Sequence, residues 1–346
     1  MKAPFIWDKY SDQPYPIKDK AYKKQKRREN LWDYIPLLLT NIIFFPLSIL
    51  LMKFFKAQPI DPAEFYGMGV DLDKGDPQIA LIQELGVKHI LIRMPLWEMK
   101  RVDEYLDFAK KFKDQTILLN ILQDREHIEN KKLLQKDITT IFEKFSPIVS
   151  EYQIGNAINR TKWGFFSMSE YLSWYQTIQE IRDRDYPTIQ LIGSSIIDFE
   201  YHYTIRTLFN NYPIKYDKFS SLLYVDRRGS PSNTQMGIFD TKNKIDMLYS
   251  LVKLSPKTTN DIYITEVNWP LSNTAPYAPT SERECISEEE YSNFMIEYLK
   301  TAKQSGKIKR VYWHQLIARG YGLVDDGDKN LRKMEAFYRF MELTQS

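Results

Sequence analysis

From about Phe65 onward, compact apolar runs alternate with longer stretches whose apolar positions recur at helical spacing. The runs FYGMGVDL (65–72), HILIRMPL (89–96), TILLNILQ (116–123), EYQIGNAIN (151–159), IQLIGSSII (189–197), FSSLLYV (219–225), DIYITEVNW (261–269) and KRVYWHQL (309–316) read as strands. Their centres are apolar on both faces, as in parallel strands covered on each side by other elements. The stretches DPQIALIQELG, VDEYLDFAKKFK, ITTIFEKF, YLSWYQTIQEIRDR, NKIDMLYSLVKL, EEYSNFMIEYLKTAKQ and NLRKMEAFYRFMEL carry helical periodicity. Eight strand-then-helix units over about 280 residues predict an α/β fold, a (β/α)8 barrel. A doubly wound open sheet would call for a Gly-rich phosphate turn or an order switch, and neither is visible. Gly67-Met68-Gly69 lacks the third glycine of a dinucleotide turn and reads as close backbone packing. In a barrel, chemistry gathers on the loops after the C-terminal strand ends.

A different pattern precedes the barrel. Residues 34–52 (YIPLLLTNIIFFPLSILLM) form a 19-residue run without a charge. At about 1.5 Å per residue, a helix of that length just crosses the hydrocarbon of a bilayer. Lys18, Lys20, Lys23, Lys24, Lys26, Arg27 and Arg28 precede the run, and only Lys53 and Lys56 follow closely. By the positive-inside rule this bias places the N-terminus in the cytoplasm and the barrel beyond an inner membrane, as a single-pass signal anchor. Pro36, Asn41 and Pro46 interrupt the run, so two other readings stand beside it. One is a bent or interfacial segment with the barrel at the cytoplasmic face; the other is a buried core helix. The expected organisation is a basic tail (1–33), an anchor (34–52), a linker (53–63) and the barrel (64–346).

Composition narrows the chemistry. The chain is 43% hydrophobic and 14% aromatic, which excludes general disorder, and a net charge of +3 gives no argument for nucleic acid. A single cysteine, Cys285, rules out an internal disulfide framework and a cysteine-based metal site. The four histidines (His89, His127, His202, His314) have no zinc-binding spacing, so neither a metal nor a cofactor is expected.

The strand ends carry a more specific pattern. Strand four ends in Gln153-Ile154-Gly155-Asn156-Ala157-Ile158-Asn159 and strand seven in Ile264-Thr265-Glu266-Val267-Asn268-Trp269. Strand eight carries Tyr312-Trp313, followed by Gly322-Leu323-Val324-Asp325-Asp326-Gly327. Together these resemble the retaining glycoside hydrolases of clan A, nearest to the family 39 and family 5 type, over roughly residues 65–345. The resemblance implies that Glu266 is the nucleophile and that Asn156 is the Asn before the acid/base and contacts the sugar. It implies that Tyr224 and Arg93 support the nucleophile and that Trp313, with Trp269, floors the sugar subsite. The acid/base position itself holds Ala157, not Glu. Retaining hydrolysis needs two carboxyls about 5–5.5 Å apart, so three readings follow: a substituted position, a natural sugar-binding relative, or another proton donor. Glu98, Asp124, Asp198 and Asp226 lie near strand ends and are the candidates for the last.

Each of these residues also has a plainer reading. Trp163, Trp269 and Trp313 could be core aromatics, and Asn156 could simply end a strand. Glu151 and Tyr152 start a strand and belong to the stability end of the barrel. Arg160 and Lys162 follow strand four, Arg227 and Arg228 follow strand six, and Arg319 follows strand eight. These five cations are either solvated loop charge or the walls of a site for an anionic glycan. The long strand-seven loop, 272–288, is a candidate lid. The expected function is thus a membrane-anchored glycoside hydrolase-like barrel acting on a cell-envelope or secreted polysaccharide. The alternative is a catalytically inactive glycan-binding or polysaccharide-assembly subunit.

Overall fold

A computed structural model describes residues 5–57, 59–327 and 330–345. The chain opens with a hairpin of β1 (Trp7–Asp8) and β2 (Gln13–Pro14), then α1 (Lys20–Glu29) and the apolar α2 (Tyr34–Leu51). The barrel follows as β3 (Tyr66–Val70), α3 (Pro77–Leu85), β4 (His89–Pro95), α4 (Val102–Ala109), β5 (Thr116–Leu122), α5 (Arg125–Glu129) and α6 (Lys131–Phe145). It continues as β6 (Glu151–Ile154), α7 (Met168–Asp185), β7 (Gln190–Ile197), α8 (Tyr201–Leu208), β8 (Lys218–Leu222) and α9 (Thr241–Leu254). It closes with β9 (Ile262–Ile264), α10 (Glu288–Ser305), β10 (Arg310–Trp313), a small ribbon of β11 (Val324–Asp325) and β12 (Arg332–Lys333), and α11 (Glu335–Gln345). Strands β3 to β10 form a closed, all-parallel barrel in chain order, with β10 pairing back onto β3. The eight expected strands are all present, and the fold is the (β/α)8 barrel.

Strand alternation sorts the core into two layers. Leu91, Leu118, Ile192, Tyr263 and Tyr312 form their own cluster inside the barrel, whereas their neighbours in sequence join the larger core between strands and helices. Gly67 stands opposite Tyr312 in the β3–β10 register. A β-carbon at Gly67 would come within 2.5 Å of the Tyr312 ring, so the glycine serves close packing. At the N-terminal end of the barrel Glu151 pairs with Lys218 and accepts from the Tyr263 hydroxyl, sealing that end as expected of the stability face.

Helix α2 runs along the outside of the barrel and packs on α8 and α9. Phe44 stacks on Phe209 at 3.5 Å, and Asn41 donates to the His202 carbonyl at 2.9 Å. Both ends are pinned. Asp33 accepts from the backbone of Met168 at the start of α7 (2.9 Å) and from Arg206 (3.1 Å). Beyond the other end, Lys53 reaches Asp246 at 2.7 Å. Phe44, Phe45 and Ile49 face the barrel core. The opposite face leaves Leu38, Leu39, Ile42, Ile43 and Leu50 each more than half exposed.

The segment before α2 returns to the barrel as well. Tyr22 is buried, Lys26 bridges to Glu129 at 2.6 Å, and the β1–β2 hairpin lies across the C-terminal face of the barrel. There Trp7 meets Trp97 and Trp163, and Gln13 donates to the Pro279 carbonyl at 2.9 Å. A single-pass anchor would put residues 1–33 and the barrel on opposite sides of a bilayer. In the structure residues 5–33 are in direct contact with the barrel.

Candidate active site

Side-chain parity places the first component. Leu91 points into the barrel, so Arg93, two residues on, points into its mouth. Glu266 lies just past β9, Tyr224 just past β8 and Asn156 just past β6, all at the C-terminal rim. They converge on one carboxylate. Arg93 Nη2 donates to Glu266 Oε2 at 2.5 Å, Asn156 Nδ2 to the same oxygen at 3.2 Å, and the Tyr224 hydroxyl to Oε1 at 2.7 Å. The structure thus brings together Glu266, Arg93, Tyr224 and Asn156.

The electrostatics follow from burial and partners. Burial by itself would raise the Glu266 carboxyl, but Arg93 and the Tyr224 and Asn156 hydrogen bonds outweigh it and hold it at about 2. His314, beside it, is pushed by burial and Arg93 down to about 3 and is neutral at physiological pH, so the opposing charge is the Arg93 guanidinium. Burial lifts the Tyr224 phenol well above its usual range, which keeps it a donor. Arg228 stacks over the Tyr224 ring at 3.6 Å and fixes it from the other side. The result is an ionised, oriented carboxylate with little exposure, the state required of an attacking nucleophile.

In front of Glu266 lies a cavity of about 210 Å³, walled by Arg93, Arg160, Lys162, Trp163, Asp198, Tyr224, Arg228, Asn268, His314 and Tyr321 together with Ser11, Asp12 and Gln13 of the hairpin. Of the expected cations, Arg160, Lys162 and Arg228 are in this wall. Arg319 is not: its guanidinium sits over Tyr277 at 5.2 Å. Arg227 lies in a short helical turn, and its side chain falls outside the described residues. The strand-seven loop contributes Pro279 and Thr280 to the wall.

The two tryptophans expected to floor the sugar are not in the cavity. Tyr312 points inward, so Trp313 points outward, where its indole donates to Tyr291 of α10 at 2.7 Å. Trp269 stacks against it at 5.9 Å and donates to the Gly229 carbonyl. Both are core side chains. Trp163 and Tyr321 are the aromatic walls instead, and Tyr321 stacks on His314 at 5.5 Å. Asn156 touches Glu266 but does not line the cavity, so its visible work is to orient the carboxylate.

Ala157 is buried at a φ of 44° and is not among the residues that line the cavity. The substitute proton donors separate cleanly. Glu98 is held by Tyr105 and Arg101, at 2.8 and 3.0 Å, away from the cavity. Asp124 caps α5 and binds His127 at 2.9 Å. Asp226 lines an adjoining depression of about 320 Å³. Only Asp198 lines the cavity itself, bound to Arg160 at 2.5 Å. The carboxyl that no strand-end pattern pointed to is Asp12. Its Oδ2 accepts from Arg93 Nη1 at 2.6 Å, so Arg93 bridges Asp12 and Glu266.

No protein-family profile matches this sequence, and no curated protein sequence does either. Solved structures do match in three dimensions. A family 1 β-glucosidase from Thermotoga maritima superposes with a TM-score of 0.62 at 12% identity, covering 84% of this chain and 99% of that one. The same enzyme in complex with a methoxycarbonyl-substituted glucoimidazole gives 0.60 at 13% identity over the same shares. A β-glucosidase from Exiguobacterium marinum gives 0.59 at 11% identity, covering 83% of this chain and 99% of its own. At these identities the likeness establishes the fold, the barrel shared by clan A glycoside hydrolases.

Proposed function

We propose that this protein is a membrane-attached glycoside hydrolase-like barrel that takes one sugar unit of a cell-envelope or secreted polysaccharide against Glu266. The observation that carries this reading is the Glu266 carboxylate, buried yet ionised and held on both oxygens by Arg93, Tyr224 and Asn156. Attack on the anomeric carbon would then form a glycosyl-enzyme bond. The adjoining depression across Arg160, Asp198, Tyr224 and Arg228 suits the leaving group. At about 210 Å³ the cavity is smaller than the roughly 300–1,000 Å³ that drug-sized ligands fill. With the N-terminal hairpin walling it, the cavity therefore suits a chain end, not a strand running through. A panel of 2-deoxy-2-fluoroglycosyl fluorides, neutral and uronyl, tests the reading, because fluoride leaves without acid help. A covalent adduct mapped by mass spectrometry to Glu266 is expected; the absence of any adduct across the panel would rule out the nucleophile.

Ala157 favours a second reading, a glycan-binding or assembly subunit without turnover. Here the Ala157→Glu variant decides. Restoring an acid at this position should raise cleavage of a glycoside with a poor leaving group by about 10²-fold, the lower end of general acid catalysis. A variant that still binds sugar yet stays inert would favour the binding subunit.

For the attachment, the support is the apolar outer face of α2 beside a basic α1. Helix α2 is apolar all round; the barrel covers one face, and the other leaves a long apolar stripe that soluble surfaces rarely carry. Exposed Lys18, Lys20, Lys24, Arg27 and Arg28 lie just before it and complement anionic lipid. The helix would lie in the interface with both termini on one side, the cytoplasmic side by its basic flank. Purified protein should float with phosphatidylglycerol-containing vesicles, and the double variant Leu38→Glu/Ile42→Glu should sediment. Topology reporters fused to the two ends should report the same compartment; opposite compartments would restore the single-pass anchor.

A further inference from the structure

The tip of the N-terminal hairpin occupies the cavity in a way that defines a subsite. Asp12, at a φ of 51°, pushes its carboxylate onto Arg93 Nη1 (2.6 Å), within 3.4 Å of Gln315 Nε2 and 3.9 Å of His314 Nε2. The same Nη1 also donates to the Asp12 carbonyl at 3.1 Å. Next to it Lys162, whose ammonium burial disfavours and the Glu266 charge favours, donates to the neutral Gln13 side chain at 2.5 Å. With the hairpin in place the wall carries four cations, Arg93, Arg160, Lys162 and Arg228, against Asp12, Asp198 and Glu266. Without the hairpin, the four cations face two anions. Asn268 is among the residues that line the same cavity, at 2% exposure, and its buried Oδ1 has no partner among the described residues, so a sugar hydroxyl that reached it would satisfy it. Asp12 is also poorly placed as a permanent tenant. Burial disfavours its carboxylate more than Arg93 and Gln315 favour it, Glu266 adds repulsion, and Asp71, raised to about 7 by burial and by the charge of Asp12, shows the same crowding.

We propose that Arg93, Lys162 and Gln315 form a carboxylate subsite for an acidic sugar, and that Asp12 is a tethered stand-in for that sugar's carboxylate. Resting on the sugar-binding reading above, this inference names the substrate class: a uronic acid or related sugar acid at the chain end. The ring hydroxyls donate to Asn268, and the carboxylate replaces that of Asp12 on Arg93 while Lys162 exchanges Gln13 for a charged partner. The hairpin leaves when the sugar enters, since both cannot hold Arg93 Nη1.

A tethered competitor lowers apparent affinity by the fraction of time the site is open. The test is calorimetric binding of D-glucuronate and D-galacturonate, beside D-glucose and D-galactose, to the full-length protein and its Asp12→Asn and Asp12→Ala forms. Circular dichroism of each variant checks the fold. At least one uronate should bind both variants ten-fold or more tighter than the parent, with the neutral sugars unchanged. Equal gains for neutral sugars would make Asp12 a simple lid, and unchanged or weaker uronate binding would make it a structural or catalytic group; either overturns the subsite. So would the failure of both uronates to bind any form. Labelling of Glu266 by a neutral fluorosugar alongside any of these failures would sink the subsite and leave the nucleophile standing.

Discussion

Replacing Glu266 by glutamine is expected to abolish covalent labelling and to cut aryl-glycoside cleavage by roughly 10⁴-fold or more, the scale on which a catalytic set fails when one member is lost. The substitution keeps the shape and one acceptor oxygen, so Tyr224 or Arg93 retains a partner and the rim should stay folded. What disappears is the charge. An amide is too weak a nucleophile for an anomeric carbon, and none of the other carboxyls near the cavity is held as Glu266 is. Asp198 is committed to Arg160, and Asp12 stands on the hairpin. Release of the aryl group, followed by absorbance for the parent and the variant on several sugars, measures the effect. Residual cleavage within ten-fold of the parent would move the nucleophile elsewhere.

The second large effect is on stability. Arg93 is the shared counter-ion of Glu266 and Asp12, and it is 9% exposed. Replacing it by methionine keeps most of the stem volume and leaves two carboxylates facing each other without compensation. Removing one partner of a buried ion pair typically costs about 3–5 kcal/mol, and that loss is expected here in denaturant unfolding. The pH dependence gives an independent check. In the parent, Glu266 is held at about 2, below its unfolded value, so its contribution is present above that unfolded value and fades as pH falls. In Arg93→Met burial dominates, and the carboxyl rises above its unfolded value. Its favourable contribution is then present at low pH and is lost as pH rises through the raised value. The stability gap between parent and variant should therefore widen from acid to neutral pH. A constant gap would mean that Arg93 acts by packing alone.

Much of this architecture is legible in local sequence. Eight apolar runs, two-sided and alternating with helical stretches, point to the barrel because a buried parallel strand has few other ways to read. Arg93, Tyr224 and Glu266, singled out through the resemblance to clan A barrels, converge at the C-terminal rim. Trp313 was misplaced by a single step of parity: the inward residue of that strand is Tyr312, and the indole beside it turns to the helices. Arg319 lies on the right loop, but a loop's path is set by contacts such as Tyr277, not by periodicity. The placement of the N-terminal segment was the least legible. Nothing in residues 5–17 announces a binding partner, because Asp12 meets Arg93 across 81 positions and Lys162 meets Gln13 across 149. The apolar run is long enough for a span, yet Pro36, Asn41 and Pro46 also allow an interfacial or a packed helix, and its docking surface on α8 and α9 is set by residues more than 150 positions away.

That docking surface has a consequence for the order in which the protein is made. Helix α2 ends at Leu51, and its partners α8 and α9 occupy Tyr201–Leu208 and Thr241–Leu254. At a synthesis rate of about 5–20 residues per second, the first partner emerges roughly 8–30 seconds after the helix it will cover. Throughout that interval the ribosome displays an apolar helix with neither face covered, next to a cluster of lysines and arginines. Translation thus presents this apolar helix well before the barrel that covers one of its faces exists.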